Sequence, residues 1–186
     1  MGMNRILTTR IFDTCNDLPP AMRQSMIELL NERLVDVIDL ELQAKQAHWN
    51  IKGPNFVGLH ELFDRVALQA REYADEIAER AVALGGVARG TIEEIAGQST
   101  LPAYPLVVDD WRIHARAMQA ALATFGRGAR RGIDAAEAAN DAATADLFTG
   151  ISRGIDKLLW MVEAHVQETP WPSSRVAGDE AAATRP

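Results

Sequence analysis

Apolar residues recur every three or four positions through four long stretches of this chain, and no convincing strand alternation appears. This periodicity limits the fold more than any other feature, because each stretch reads as an amphipathic helix that must bury one face against the others. The first follows Pro19 and Pro20, which suit an opening helical turn, and its stripe runs through Met22, Met26, Leu30, Leu34, Val37 and Leu42. It should stop near Asn50, since Gly53 and Pro54 cannot continue it. Asn55 is placed to cap a second helix with Leu59, Leu62, Phe63, Val66, Ala70, Tyr73 and Ile77 on one side, ending at Gly85 and Gly86.

Thr91 and Glu94 have capping-box spacing, which predicts a short helix before Gly97. Asp109 or Asp110 caps a third long helix bearing Trp111, Ala115, Met118 and Leu122, and Gly126, Gly128 and Gly132 predict a kink or a weak stretch in it. Asn140 or Asp141 precedes a fourth, which must end before Pro170. The expected fold is all-α: an antiparallel four-helix bundle over residues 17–169, with a short extra helix in a long crossover between the second and third helices. Residues 1–16 and 170–186 read as tails. At 186 residues and 47% hydrophobic content, one domain can bury its core.

No run of 18 apolar residues is present, so no membrane-spanning helix is expected, and the opening residues lack the apolar centre of a secretory signal. The single Cys15 fits a reducing compartment, and a cytoplasmic location is expected. A formal charge of −7 argues against holding nucleic acid by the overall field and suits attraction of cations.

His60 and Asp64 stand four apart, hence one turn from each other on one helix face, and Asp75 and Glu79 repeat that step further along. Eleven residues at about 100° each return within roughly 20° of the starting direction, so all four lie along one side of the second helix. The centres of the two pairs are nevertheless about 22 Å apart at 1.5 Å per residue, far beyond the reach of a metal–ligand bond. One chain cannot close such a site. Two copies packed antiparallel about a two-fold axis near Gln69 and Ala70 would bring each pair onto the other, giving two equivalent sites. His48, just before the loop, is placed to join His60 and Asp64. Mixed imidazole and carboxylate donors suit iron, manganese or zinc. Acids also recur at this spacing on solvated faces, and His60 could be an interfacial histidine satisfied by a neighbour, so spacing alone leaves a structural reading equally open. The zinc-protease pattern fails because Asp64 stands where the second histidine is required, and the ExxH signature of a one-bundle di-iron site is missing.

The run KQAHWNIKGPNFVGLHELFD, followed by DEIAER and later by DKLLWMVEAHVQE, closely resembles the Dps family of ferritin-like mini-ferritins, over about residues 17–168. The resemblance implies that ligands matching His48, His60 and Asp64 come from one subunit and those matching Asp75 and Glu79 from its two-fold partner. It implies a hollow dodecamer built of dimers, which oxidises Fe(II) to Fe(III), with hydrogen peroxide preferred over dioxygen, and stores a ferric oxyhydroxide mineral. Trp49 matches a family tryptophan near the site, which by analogy traps a stray oxidising equivalent; an aromatic anchor at the dimer contact is the alternative.

Acids at the start of the family's last helix line an iron-entry pore. Here Asp146 and Asp141 are the candidates, while Ala142 and Ala143 occupy positions often acidic in relatives; helix capping is the competing role for Asp141. DNA is a weakly supported partner, because neither tail is a polycation and Arg127, Arg130 and Arg131 read as a solvated turn of helix. A nucleoid-associated, DNA-compacting protein with secondary iron chemistry is the alternative function. His114 and His165 have no matched ligand spacing and read as structural or exposed, and Trp111, Trp160 and Trp171 as core or interface residues.

Overall fold

The computed structural model describes residues 10–167. Its helices are α1 (Pro20–Asn50), α2 (Phe56–Ala83), α3 (Ile92–Gln98), α4 (Trp111–Ala138) and α5 (Ala142–Val166), and no strand occurs among the described residues. The four long helices form the expected bundle. α1 packs mainly on α2 and α4 mainly on α5, and the two hairpins meet through α1 with α4 and α2 with α5. Phe63, Phe125 and Phe148 lie fully buried at the centre with Ile27, Leu30, Leu40, Met118 and Leu122. The expected tail at 170–186, and Trp171 within it, lie outside the described residues. Of the opening segment, Phe12 gives its N–H to the Gly85 carbonyl at 2.7 Å, so residues 10–16 lie against the end of α2.

The helix boundaries have identifiable chemical causes. Asp110 accepts from Arg112 N at 2.9 Å and Asp141 from Thr144 N at 3.0 Å, each satisfying an otherwise orphaned amide of a first turn. Asn55 occupies the N-cap position of α2 without a side-chain bond to the helix. At Thr91 only half of the box forms: its hydroxyl accepts from Glu94 N, while the Glu94 carboxylate turns to Gln98. α2 ends with Gly85 N on Val82 O and Gly86 N on Ala81 O, and α4 ends with Asn140 N on Glu137 O and Asp141 N on Ala136 O. Both are Schellman endings, and both need a left-handed residue, supplied by Gly85 at φ 88° and Asn140 at φ 54°.

The helix is not interrupted at Gly126, Gly128 and Gly132; α4 continues through them to Ala138. These glycines admit close neighbours instead. A Cβ on Gly128 would lie 2.1 Å from Arg33 Nη1, and one on Gly132 would lie 2.8 Å from the Phe148 ring.

α1 buries more than its apolar stripe, because the crossover lies along it. Asn31 holds Val87 O at 3.0 Å and Arg89 N at 2.8 Å, Asp36 holds Thr100 N at 2.7 Å, Asp39 accepts from the Ser99 hydroxyl, and Gln43 holds Pro102 O at 3.1 Å. These polar side chains supply partners to the irregular backbone of the crossover and fix its path along α1.

Candidate metal centre

His48 lies in the last turn of α1 and His60 in the second turn of α2, with residues 51–55 between the helices. So short a connection folds the two rings face to face, with centroids 3.7 Å apart and planes inclined by 22°. His48 Nδ1 is 2.9 Å from the His60 carbonyl oxygen, and His60 Nδ1 is 2.9 Å from the His48 carbonyl oxygen. A carbonyl can only accept, so each Nδ1 carries a proton, and in the neutral ring that leaves the lone pair on Nε2. That is the tautomer a metal-binding imidazole needs, held here by backbone. The exchange also satisfies the His48 carbonyl, one of the end groups of α1 with no partner inside its helix.

Asp64 follows one turn after His60. Its Oδ1 accepts from Lys45 Nζ at 2.7 Å, and that hydrogen bond holds the carboxyl below its ordinary range, against an opposing effect of burial. The separation of 4.0 Å from Asp64 Oδ1 to His48 Nδ1 is too long for a hydrogen bond, and that nitrogen is committed to His60. Lys45 was not singled out in the sequence, although it sits three residues before His48 and so shares its helix face. Trp49 is 68% exposed, with Lys45 Nζ 5.8 Å from its ring centroid.

Asp75 and Glu79 are exposed on the far half of α2. Asp75 borders an open hollow of about 550 Å³ lined by Leu34, Ile38, Ala74, Ala78 and Ala88. The structure therefore stacks His48 on His60, sets Asp64 one turn away paired to Lys45, and leaves Asp75 and Glu79 elsewhere on the same helix. Among the described residues, no three His, Cys, Asp or Glu side chains converge as a metal site within one chain. The same side of the hairpin exposes Leu42 at 55% and Leu68 at 56% of their surface, and between them Arg71 donates to Glu41 at 2.7 and 2.9 Å.

One pore candidate needs correction. Asp141 is 2% exposed, and its carboxylate holds Arg80 Nη2 at 2.7 Å together with the amide and hydroxyl of Thr144. It is a buried cap and ion-pair partner, with no oxygen facing solvent to line a channel. Asp146, one turn into α5, is exposed. His114 is 4% exposed, and its Nδ1 lies 2.5 Å from the Tyr104 hydroxyl. His165 is half-buried beside Gly58, Trp111 is half-buried, and Trp160 is exposed. Arg127, Arg130 and Arg131 lie exposed on α4, with Arg130 paired to Asp156 at 2.9 Å.

Residues 27–170 match the family described as Ferritin-like domain. The chain is 46% identical over 158 residues to a DNA protection during starvation protein of Agrobacterium fabrum, covering 83% of this chain and 96% of that protein. It is 36% identical over 141 residues to DNA protection during starvation protein 1 of Deinococcus radiodurans, covering 76% and 68%. Among solved structures it resembles Mycobacterium smegmatis Dps in a tetragonal form, with a TM-score of 0.80 and 31% identity over 84% of this chain and 96% of that one. DpsC from Streptomyces coelicolor superposes with a TM-score of 0.82 at 27% identity, covering 87% and 94%. A bundle with this crossover, the family match over residues 27–170, and a relative 46% identical over 96% of its own length establish that the chain belongs to the Dps family of ferritin-like proteins.

Proposed function

We propose that this protein removes Fe(II) and hydrogen peroxide together, oxidising iron at sites shared between two subunits and storing the ferric product inside a dodecameric shell. The observation that carries this reading is the pair of imidazoles, each fixed as the Nδ1–H tautomer by the other's backbone, one turn from the Asp64 carboxylate. Iron is the substrate. Two neutral imidazole nitrogens and a carboxylate from one chain, with Asp75 and Glu79 from a second, form a mixed set that suits iron, and the carboxylates favour Fe(III) because the higher charge gains more from anionic oxygen. A second copy laid antiparallel on α2 would also cover Leu42, Leu68 and Trp49, which one chain leaves in water.

The roles of this chain's residues follow. His48 and His60 offer Nε2, Asp64 supplies negative charge, and the lysine on its Oδ1 limits that charge until a cation arrives. Each of two Fe(II) gives one electron; peroxide takes both with two protons, its O–O bond breaks, and it leaves as two waters with no hydroxyl radical. Trp49 stands ready to donate an electron when a one-electron step escapes. Asp146 draws cations to the entry pore, and its neighbours Ala142 and Ala143 make that pore weaker than a fully acidic one. DNA protection, the role printed in the relatives' names, follows from removing the reagents of radical chemistry. The setting is the cytoplasm, near the nucleoid.

The test is the number of Fe(II) oxidised per peroxide under anaerobic conditions, in wild type and in an assembled Asp75→Asn variant. Two irons per peroxide without radical, strongly reduced in the variant, is the expected result. Rates equal to those of free iron, with radical release, would leave sequestration or DNA compaction as the function.

A further inference from the structure

The chain has two tyrosines, and their surroundings differ. The buried Tyr73 packs its hydroxyl end against Gly154, with no hydrogen-bond partner among the described residues. Tyr104, in the crossover, meets His114 Nδ1 at 2.5 Å, with the rings 6.1 Å apart and inclined by 32°. His114 is nearly inaccessible, and burial pushes its pKa down, so the ring is neutral and can accept a proton. A phenol loses an electron readily only when its proton has somewhere to go at the same moment; a neutral imidazole on the hydroxyl provides that destination.

The pair lies at the end of the bundle that carries the imidazole centre. Gln43 of α1 holds Pro102 O at 3.1 Å, two residues before Tyr104, and Gln43 precedes His48 by five residues, or about 7.5 Å of helix rise. From the other side, Trp111 in the first turn of α4 packs on Gly53, in the loop between His48 and His60; a Cβ there would lie 3.4 Å from Trp111 Cδ1. Chain reach from these anchors places Tyr104 on the order of 20 Å or less from the imidazoles, with Trp111 near the path.

We propose that Tyr104 and His114 act as an internal one-electron donor that quenches hydroxyl radical formed at the iron site. The proposal rests on the iron–peroxide reading above. When a single Fe(II) meets peroxide, Fe(III), hydroxide and hydroxyl radical result. Tyr104 then supplies one electron, the hydroxyl radical becomes hydroxide, the phenol O–H bond breaks, and the proton passes to His114 Nδ1, leaving a neutral tyrosyl radical beside an imidazolium. The hole stays on a half-buried ring inside the fold instead of reaching mineral or DNA.

Two arms test this in the assembled protein. In the iron arm, Fe(II)-loaded protein is mixed with peroxide, frozen for electron paramagnetic resonance, and assayed in parallel for spin-trapped hydroxyl radical. In the second, iron-free protein is oxidised by azide radical. Wild type and Tyr73→Phe are expected to give a tyrosyl signal in both arms, and Tyr104→Phe none. Escaping hydroxyl radical should rise several-fold in Tyr104→Phe while its iron oxidation rate is unchanged. His114→Gln, checked for folding by circular dichroism, should slow tyrosine oxidation at least about tenfold, because the amide cannot take the proton. A tyrosyl signal that survives in Tyr104→Phe, or disappears in Tyr73→Phe, overturns the assignment, as does unchanged radical escape. If wild type oxidises no iron at its site, the proposed function fails, and the azide arm still decides which tyrosine is the donor.

Discussion

Co-assembling two inactive variants measures directly whether the metal centre is shared. His60→Ala removes one half of the donor set and Asp75→Ala the other, and the two halves are about 22 Å apart along α2 of a single chain. On the proposed reading, each site of a two-fold dimer takes His48, His60 and Asp64 from one subunit and Asp75 and Glu79 from the other. Either variant alone then has every site damaged. A mixed dimer has one site that lost both halves and one built wholly from native residues. Random pairing makes about half of the dimers mixed, each with one of two sites intact, so about a quarter of the wild-type initial rate should return. The assay is peroxide-driven Fe(II) oxidation by shells purified after co-expression, with subunit composition read by mass spectrometry. Mixed shells with no more activity than the parent variants would refute the shared site.

Three further outcomes are expected. Asp141→Ala removes a buried partner of Arg80 and the cap of α5, costing about 3–5 kcal/mol, and should lower Tm by roughly 10 °C while iron oxidation by the folded protein persists; a selective loss of iron uptake would restore Asp141 to the pore. Gly128→Ala drives a Cβ into Arg33, whose Nη1 pairs with Asp36 at 3.2 Å, and should cost about 1–3 kcal/mol in urea unfolding, whereas Gly150→Ala meets nothing within 4 Å and should gain up to about 1 kcal/mol; equal effects would refute the packing argument. Burial pushes the Tyr104 pKa up to about 12 from 10.0, so the folded state keeps a proton that the unfolded chain releases, and stability falls as pH rises from 10 towards 12; Tyr104→Phe should reduce that slope in pH-dependent unfolding curves, the remainder coming from Tyr73, whose pKa burial also raises.

Much of this architecture is legible in the sequence because helix periodicity and end signals are local. The proline pair, the Gly85 and Gly86 stop and the Asp110 and Asp141 caps act within one turn, so they can be read without knowing the fold. The buried polar residues of α1 cannot. Asn31, Asp36 and Gln43 look like solvated helix positions until the crossover is laid over them, Arg33 does so until α4 packs beside it, and the α4 glycines look like breakers until Arg33 and Phe148 fill the space beside them. The site divides in the same way. The spacing of His60 with Asp64 and of Asp75 with Glu79 follows from helix geometry, whereas the stacking of His48 on His60 depends on how residues 51–55 turn. The Tyr104–His114 bond joins segments whose relation only tertiary packing decides.

The row of hydrogen bonds from α1 to the crossover bears on the order in which the chain is built. Asn31, Asp36, Asp39 and Gln43 belong to a helix that leaves the ribosome before the crossover, and their partners between Val87 and Pro102 come much later. The template that sets the path of the crossover therefore exists before the crossover is synthesised. His48, His60 and Asp64 belong to that early hairpin as well, and α4 and α5 emerge onto a scaffold that already carries the stacked imidazoles.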